Sequence, residues 1–355
     1  MLSNVVLGSS AAGQFQHVVV EMISGGECGE RLRQGNISVH SLGMTRGRFS
    51  ASAALRFVRV LRRERPSILQ SWLYHADLLG LLALPTLGIP VVWNIRCAWH
   101  LGIHQTAPRL CAHLSRLPAA VVVNSHAGQR QHEELGYRPR RWCYIGNGFD
   151  LEKFKPDEQA RVGLRAELGI TADALLVGLV GRWDPHKDHE TFLVAASQLH
   201  RSHAGVNFIL VGEGLTPDNP VLGKLIEDLR LRDCVHLLGS RSDVARVTAA
   251  LDVASCTSIA EAFPNVVGEA MAAGVPCVAT NVGDAAMVAG DLDMIVPPRD
   301  PLALSNAWSR ILSMAAPARQ AIGAKARARI GKNYSISTVI GQYEQLYAEL
   351  AARSL

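Results

Sequence analysis

"DVASCTSIAEAFPNVVGEAMAAGVPCVAT", residues 252–280, holds two short apolar runs on either side of a helical stretch. "DVASC" and "PCVAT" read as strands buried on both faces, which carry no alternation of polar residues. "PNVVGEAMAAG" opens on Pro264 and closes on Gly274, the start and stop signals of a helix. Asn265 and Glu269 stand four apart and share one face. Val266, Val267, Ala270 and Met271 are left for the buried side. Glu261 falls in the loop before the helix, eight positions ahead of Glu269.

The same alternation runs outward from this unit. Upstream lie "ALLVGLVG" (174–181), the helical "HETFLVAASQLHR" (189–201), "VNFILVG", the helical "NPVLGKLIEDLRL", "VHLLG" and the helical "SDVARVTAAL". Short strands alternating with helices imply a parallel sheet covered on both faces. Ligands of such sheets bind beyond the carboxyl ends of the strands. The loops "VGRWDPHK", "VGEGLTPDNP", "LGSRSD" and "CTSIAEAFPN" all follow strands, so they are expected to crowd one rim. The first part of the chain alternates too, with "HVVVEMI", "ISVHSL", "SILQSW", "PVVWNIR", "AAVVVNS" and "RWCYIGNG" as strands. The polar, turn-rich "NGFDLEKFKPD" (147–157) suits a linker between domains. The last segment carries Ile340, Tyr343, Leu346, Tyr347 and Leu350 on one helical stripe, and its tyrosines are expected to pack rather than to bind sugar.

The 355 residues suit two domains, and 48% hydrophobic against 19% charged residues allows a sizeable core. Seven scattered cysteines favour a reducing compartment over a disulfide framework. No signal peptide is read at the start. The longest apolar stretch, "LLGLLALPTLGIPVVW" (78–93), is broken by Pro85 and Pro90 and is shorter than the ~20 residues of a spanning helix. It reads as the end of a buried helix, a turn and a buried strand. Residues 1–145 hold sixteen arginines, no lysine and seven acids, a charge of +9; the remainder carries −4, for a net +5. "RVLRRERP" (59–66) concentrates the positive charge. A basic half points to an anionic partner such as acidic lipid or a phosphorylated acceptor, or else to a solvated helix face. Nucleic acid is disfavoured, because no aromatics interleave with the arginines and no nucleic-acid module is present.

Two loops carry the chemistry. In "VGRWDPHKD", Arg182 and Lys187 follow a buried strand and precede a helix, a setting that suits a diphosphate: one a planar fork, the other a point charge. In "EAFPNVVGEA", Pro264 can take the first helical turn, so the amides of Asn265, Val266 and Val267 face outward as an anion site. Carboxylates accept from sugar hydroxyls and repel phosphate, so the two glutamates are assigned to sugar and ribose. The alternative is that Glu269 complements the helix dipole and Glu261 is solvated. In "VATNVGDAAMV", Asp284 after Gly283 reads as a helix N-cap.

Taken in order, "GRWDPHKD", "VGEGL", "EAFPNVVGEAMAAGVPCVAT" and "VPPRDP" resemble the motifs of retaining glycosyltransferase family 4, the two glutamates matching its E-x7-E signature. "NSHA", "IGNGFDLEKFKP" and "SWLYHADLLG" resemble further family segments, so the likeness covers nearly the whole chain. The resemblance implies an α/β, GT-B architecture: two Rossmann-like domains with parallel sheets facing across an interdomain cleft. The domains implied are 1–148 for the acceptor and 149–330 for the nucleotide-sugar donor, with a helix at 331–355 packing back towards the first.

The activity implied is transfer of a hexosyl-type sugar from a UDP- or GDP-sugar to a glycan or lipid-linked acceptor, with no cofactor and no metal. Location would be cytoplasmic, with peripheral membrane contact through the basic domain. Arg182 and Lys187 would stabilise the leaving diphosphate and Glu261 would hold donor-sugar hydroxyls, which makes these three the catalytic set. Glu269 would hold the ribose. Gly181 and the amides from Phe263 through Pro264 and Asn265 to Val266 would meet sugar and phosphate. Gly212, Gly214 and Leu215, with Ser240 and Arg241, would flank the base.

Two departures accompany the likeness. The family places a histidine near the end of the strand that here reads "VVWNIRC", where Arg96 or Cys97 stands. His75, Arg96, His100 and Asn124 are the candidates for that side of the cleft. Family members also begin with a strand and a glycine-rich loop, whereas "MLSNVVLG" reads as the middle of the helix that follows them. The expectation is a first domain without that strand and loop, low in stability and weak in transfer.

Rival readings remain for other features. "DLD" (291–293) mimics a metal motif but reads as a turn entering a strand; Cys97, His100, His104, Cys111 and His113 match no standard zinc spacing. A sugar-nucleotide epimerase of the same architecture and a catalytically silent nucleotide-binding relative are the alternative functions.

Overall fold

The computed structural model describes residues 1–45, 50–97, 106–290 and 292–352. They form two compact units, Met1–Gly148 joined by the last helix, Ile336–Ala352, and Phe149–Ser335.

In the first unit the strands are β1 (Val18–Glu21), β2 (Ser38–Ser41), β3 (Leu69–Trp72), β4 (Val91–Ile95), β5 (Ala120–Val123) and β6 (Trp142–Tyr144). β1 and β2 pair with each other, and β3-β4-β5-β6 form a separate parallel sheet. Successive residues of a strand point to opposite faces. Val91, Trp93 and Ile95 therefore pack with Phe57, Leu61, Cys111 and Tyr137, whereas Val92 meets Val339, Tyr343 and Leu346 of the last helix. Burial on both sides explains why these strands read as unbroken apolar runs. The last helix buries Val339, Tyr343, Leu346, Tyr347 and Leu350, with Ile340 half-buried at the edge of the stripe. "LSNVVLG" (2–8) is helical, within Leu2–Ala12, with Met1 as the N-cap. The expected turn around Pro85 is instead a second short helix, Ala83–Leu87, after Tyr74–Gly80. Proline is tolerated there because a first helical turn has no amide partner to lose.

The second unit holds β7 (Leu176–Val180), β8 (Asn207–Val211), β9 (Val235–Leu237), β10 (Val253–Cys256), β11 (Cys277–Thr280) and β12 (Ile295–Val296), all parallel, in the order β12-β11-β10-β7-β8-β9. The chain starts in the middle, runs outward to β9, then returns beside β7 and runs outward the other way. This is the Rossmann order, and its direction reverses between β7 and β10. Phe192, Phe208 and Trp308 pack one face, and Phe149, Met271 and Ile330 pack the other. Buried Arg165 donates to Asp252 at 2.7 Å, and Asp252 also accepts from the Leu176 amide at 2.9 Å, which ties the start of β7 to that of β10.

Among the described residues no helix is long and apolar enough to cross a membrane, and no His/Cys/Asp/Glu group could hold a metal. Of the residues weighed for zinc, Cys111 is buried and His113 exposed, and His100 and His104 lie outside the described residues. So does Asp291; Leu292–Met294 form a short helical turn that leads into β12.

Candidate functional site

The site of the second unit is built where β7 and β10 end, at the reversal of strand order. After β7, Gly181 donates its amide to Val211 at 2.8 Å, and the Trp183 amide reaches Glu213 at 2.7 Å. Asp184 then caps the turn Pro185–Lys187 by accepting from the His186 amide at 2.9 Å. That amide, together with the Arg182 guanidinium, holds the Asp184 carboxyl well below the usual carboxylate range. The turn is stitched to the loop after β10. The Thr257 hydroxyl donates to the Lys187 carbonyl at 2.7 Å, and the Ile259 amide to the His186 carbonyl at 2.8 Å.

These backbone bonds bring Lys187 Nζ within 2.6 Å of Glu261 Oε1, and the Ser258 hydroxyl donates to the same oxygen at 2.7 Å. Cation and carboxylate are largely shielded, with side-chain exposures of 23% and 16%, so the pair interacts more strongly than a surface pair. Arg182 differs. It forks onto Asp184 Oδ2 at 2.7 and 3.0 Å with its side chain 65% exposed, a solvent-screened and displaceable contact. The two cations singled out in the sequence thus lie on one loop but engage different carboxylates.

The helix after this loop is Asn265–Ala272, one residue later than expected: Pro264 is its N-cap, not its first turn. The Val267 amide donates back to the Pro264 carbonyl at 3.2 Å, so the outward row of amides is shorter than the three expected. Val267, Ala270 and Met271 are buried, Asn265 is exposed and Val266 half-buried. Phe263 and Pro264 are buried, the phenyl ring between Phe149 and Tyr334, so these two offer only backbone to a ligand. Glu269 is half-buried, and desolvation raises its carboxyl above the ordinary range, partly opposed by Lys153.

Elsewhere on the rim, Gly212 and Gly214 bracket the loop after β8, and the Gly212 amide donates to Gly239 at 2.8 Å. Leu215 is fully buried, so its side chain belongs to the core. Ser240 is exposed. Arg241 is paired with Asp243 at 2.7 Å and Glu167 at 2.5 Å. Asp284 occupies the expected N-cap position without a side-chain cap bond; its amide holds the Ala262 carbonyl at 3.0 Å. Sequence reading missed Asp184, Thr257, Ser258 and Gly283 as supports of this loop. "DP" before a helical turn was a usable signal for Asp184; the other three carried none.

In the first unit, the ends of β4, β5 and β6 bear Asn94, Arg96, Asn124 and Asn147. Arg96 donates to the Tyr343 hydroxyl at 2.9 Å and to Asn147 Oδ1, which also accepts from Asn124 at 3.4 Å. His75 is exposed near the start of its helix, and His100 lies outside the described residues.

Two Rossmann-like units in one chain, the second with charged loops at its strand-order reversal, define a protein of the GT-B fold. Alr3699/HepE of Anabaena, solved in complex with UDP, shares that fold with a TM-score of 0.85 at 24% identity, over 98% of this chain and 96% of that one. Residues 8–153 match the family model described as Glycosyltransferase Family 4, and residues 174–314 the model described as Glycosyl transferases group 1. The chain belongs to the family 4 glycosyltransferases. A D-inositol 3-phosphate glycosyltransferase of Corynebacterium urealyticum is 32% identical over 54% of this chain and 48% of that protein. The UDP-Gal:alpha-D-GlcNAc-diphosphoundecaprenol alpha-1,3-galactosyltransferase of Escherichia coli is 25% identical over 66% of this chain and 63% of its own length. The chain spans about half the length of the curated relatives it matches.

Proposed function

We propose that the protein is a retaining glycosyltransferase that moves a hexosyl-type sugar from a UDP- or GDP-sugar to an acceptor hydroxyl in polysaccharide or glycolipid assembly. The observation that carries this reading is the 2.6 Å contact between Lys187 and Glu261 at the reversal of strand order. It sets an anion-gripping cation beside a hydroxyl-gripping carboxylate, the spacing a sugar diphosphate needs at its glycosidic phosphate. Glu261 alone would repel that phosphate; paired with Lys187 it does not. An ammonium has three N–H donors, so Lys187 can hold Glu261 and still offer hydrogen bonds to a diphosphate oxygen. Arg182, released from its exposed contact with Asp184, adds a planar fork as charge develops on the leaving group.

Glu269, four residues after Asn265 on the helix, accepts from ribose hydroxyls. The donor phosphate assists deprotonation of the acceptor on the same face of the sugar, so no protein nucleophile and no metal enters. HepE was solved with UDP, and the Escherichia coli relative is named for UDP-galactose, which supports a uridine donor. Peripheral contact with an anionic membrane surface belongs to the same reading. Its support is the solvent-facing stripe of helix Thr106–Leu114 and the turn beyond it, where Arg109, Leu110, His113, Arg116 and Leu117 are exposed and no acid intervenes. Beside it, Arg116, Arg138, Arg140 and Trp142, with one acid, Glu133, line a cavity of about 650 Å³. Exposed leucines among arginines suit a headgroup boundary.

The test is donor hydrolysis and transfer with UDP- and GDP-sugars, the anomeric configuration of the product being read by NMR. Transfer with retention, unaffected by EDTA, is expected. Donor binding without turnover would leave only a silent nucleotide-binding protein, and epimer formation without acceptor would replace the reading altogether.

A further inference from the structure

Two arginines among the described residues, Arg165 buried and Arg96 half-buried, are treated in opposite ways. Arg165 faces Asp252 at 2.7 Å, an ordinary buried ion pair. Arg96 is held only by neutral groups. Its Nη1 donates to the Tyr343 hydroxyl at 2.9 Å and to Asn94 Oδ1 at 3.5 Å, and its Nη2 donates to Asn147 Oδ1. The face of Trp72 lies 5.2 Å from the guanidinium carbon. Among the described residues no carboxylate reaches Arg96, and burial pushes its pKa down, opposed only by Tyr343.

A guanidinium stays protonated in proteins. Taking it out of water is costly unless an opposite charge compensates, and dipoles alone repay only part of that. The arrangement is also rigid. Asn94 sits within β4, Asn124 directly after β5 and Asn147 beyond β6, so three asparagines stand at the carboxyl ends of three adjacent strands. Asn147 is shared by Arg96 and Asn124. The side chain is thus fixed in direction without being neutralised, and its Nε–H has no acceptor among the described residues. Nε–H with a neighbouring Nη N–H is the edge of an arginine that receives both oxygens of a carboxylate or phosphate. It lies at the rim where sheets of this kind receive ligands.

We propose that Arg96, oriented by Asn94, Asn147 and Tyr343, is the receptor for an oxyanion, a phosphate or carboxylate group, carried by the acceptor substrate. The assignment of that anion to the acceptor rests on the transferase reading above; the oxyanion site itself does not. An anion seated there supplies the charge that the fold withholds, and the pre-set guanidinium loses little freedom on binding it. The role is one of binding and positioning.

Inorganic phosphate is the probe, titrated into the full chain in the Lys187→Gln background so that the donor loop of the second unit does not contribute. Calorimetry and the emission of Trp72 are the readouts, with Trp72→Phe identifying its share of the signal. Phosphate is expected to bind and quench or shift that emission. Arg96→Gln is expected to weaken binding by about tenfold or more, the size of one charge-assisted contact, and Arg96→Lys by less. Tyr343→Phe keeps the charge while removing the link to the last helix, so it is expected to keep most of the affinity. The proposal is overturned if phosphate does not bind, if Arg96→Gln binds it as well as its parent, or if Tyr343→Phe loses as much as Arg96→Gln, which would make Arg96 only an anchor for the helix. UDP binding, measured separately with Lys187 restored, is expected to be unchanged in Arg96→Gln. Loss of UDP binding in the parent would refute the donor reading without touching the phosphate result.

Discussion

Replacing Gly283 with alanine is expected to disturb the donor loop from behind. Gly283 has φ +56°, and a Cβ there would run into the Glu261 carbonyl oxygen, with the Ala262 oxygen at 2.7 Å and the Glu261 carbonyl carbon at 2.8 Å. All three are backbone atoms of the segment that carries Glu261, so the clash cannot be relieved by turning a side chain. A left-handed alanine costs about 1–2 kcal/mol, and forced contact in a packed site adds about 1–3 kcal/mol. Gly169 provides the control: its φ is +67° and nothing lies within 4 Å of the added Cβ, so only the first cost applies. Gly283→Ala should therefore exceed Gly169→Ala by about 1–3 kcal/mol in urea unfolding, with m unchanged. Asparagine tolerates a left-handed backbone but still carries the Cβ, so Gly283→Asn should remain close to the alanine variant. The displaced loop also pulls Glu261 away from Lys187 and from the sugar, and affinity for the UDP-sugar donor measured by calorimetry should fall by about tenfold for Gly283→Ala and not for Gly169→Ala. Equal stability costs at the two glycines, or an unaltered UDP-sugar affinity, would refute the claim that Gly283 positions Glu261.

Glu261→Gln should leave Lys187 without its carboxylate and lower kcat for transfer by about 10–100-fold, measured as initial rates at saturating donor. Burial lowers His189 to about 4, with the Gly181 carbonyl partly opposing. Its stabilising contribution is then complete above the unfolded value near 6.5 and is lost as pH falls towards 4, a slope in urea-unfolding stability that His189→Gln should flatten. Asp77 has the opposite sign. Burial raises it to about 8, with the Ser71 hydroxyl opposing, so stability is full below its unfolded value and declines as pH rises through 8. Asp77→Asn should remove that decline and unfold at higher urea than the parent at pH 9. Co-sedimentation with vesicles containing acidic phospholipid should weaken with added salt and with Arg116→Gln or Leu117→Ser; no binding, or binding indifferent to salt, would remove the membrane contact from the functional reading.

The layered fold is legible in the sequence because burial on both faces forbids polar residues in a parallel strand. Leu176–Val180 and Val91–Ile95 are apolar runs of strand length without alternation, the first closed directly by Gly181. The rim loops follow from strand order alone. Partners are what local patterns cannot supply. Lys187 and Glu261 are seventy-four positions apart, and nothing near either announces that a threonine hydroxyl and an isoleucine amide will stitch their loops together. The amide of Val267 is lost to the expected anion site because the helix begins with a tighter turn, a choice of one hydrogen bond that periodicity does not resolve. Arginine makes the same point most sharply. Arg96 just after a strand, Arg165 within the helix Glu158–Leu168 and Arg241 in a rim loop look alike as letters. Tertiary contacts give Arg165 one aspartate, give Arg241 an aspartate and a glutamate, and give Arg96 a tyrosine 247 positions away. Only the last keeps an unneutralised charge. A distinction between structural and ligand-seeking arginines therefore depends on where carboxylates are absent, and absence is settled only when the whole unit has folded.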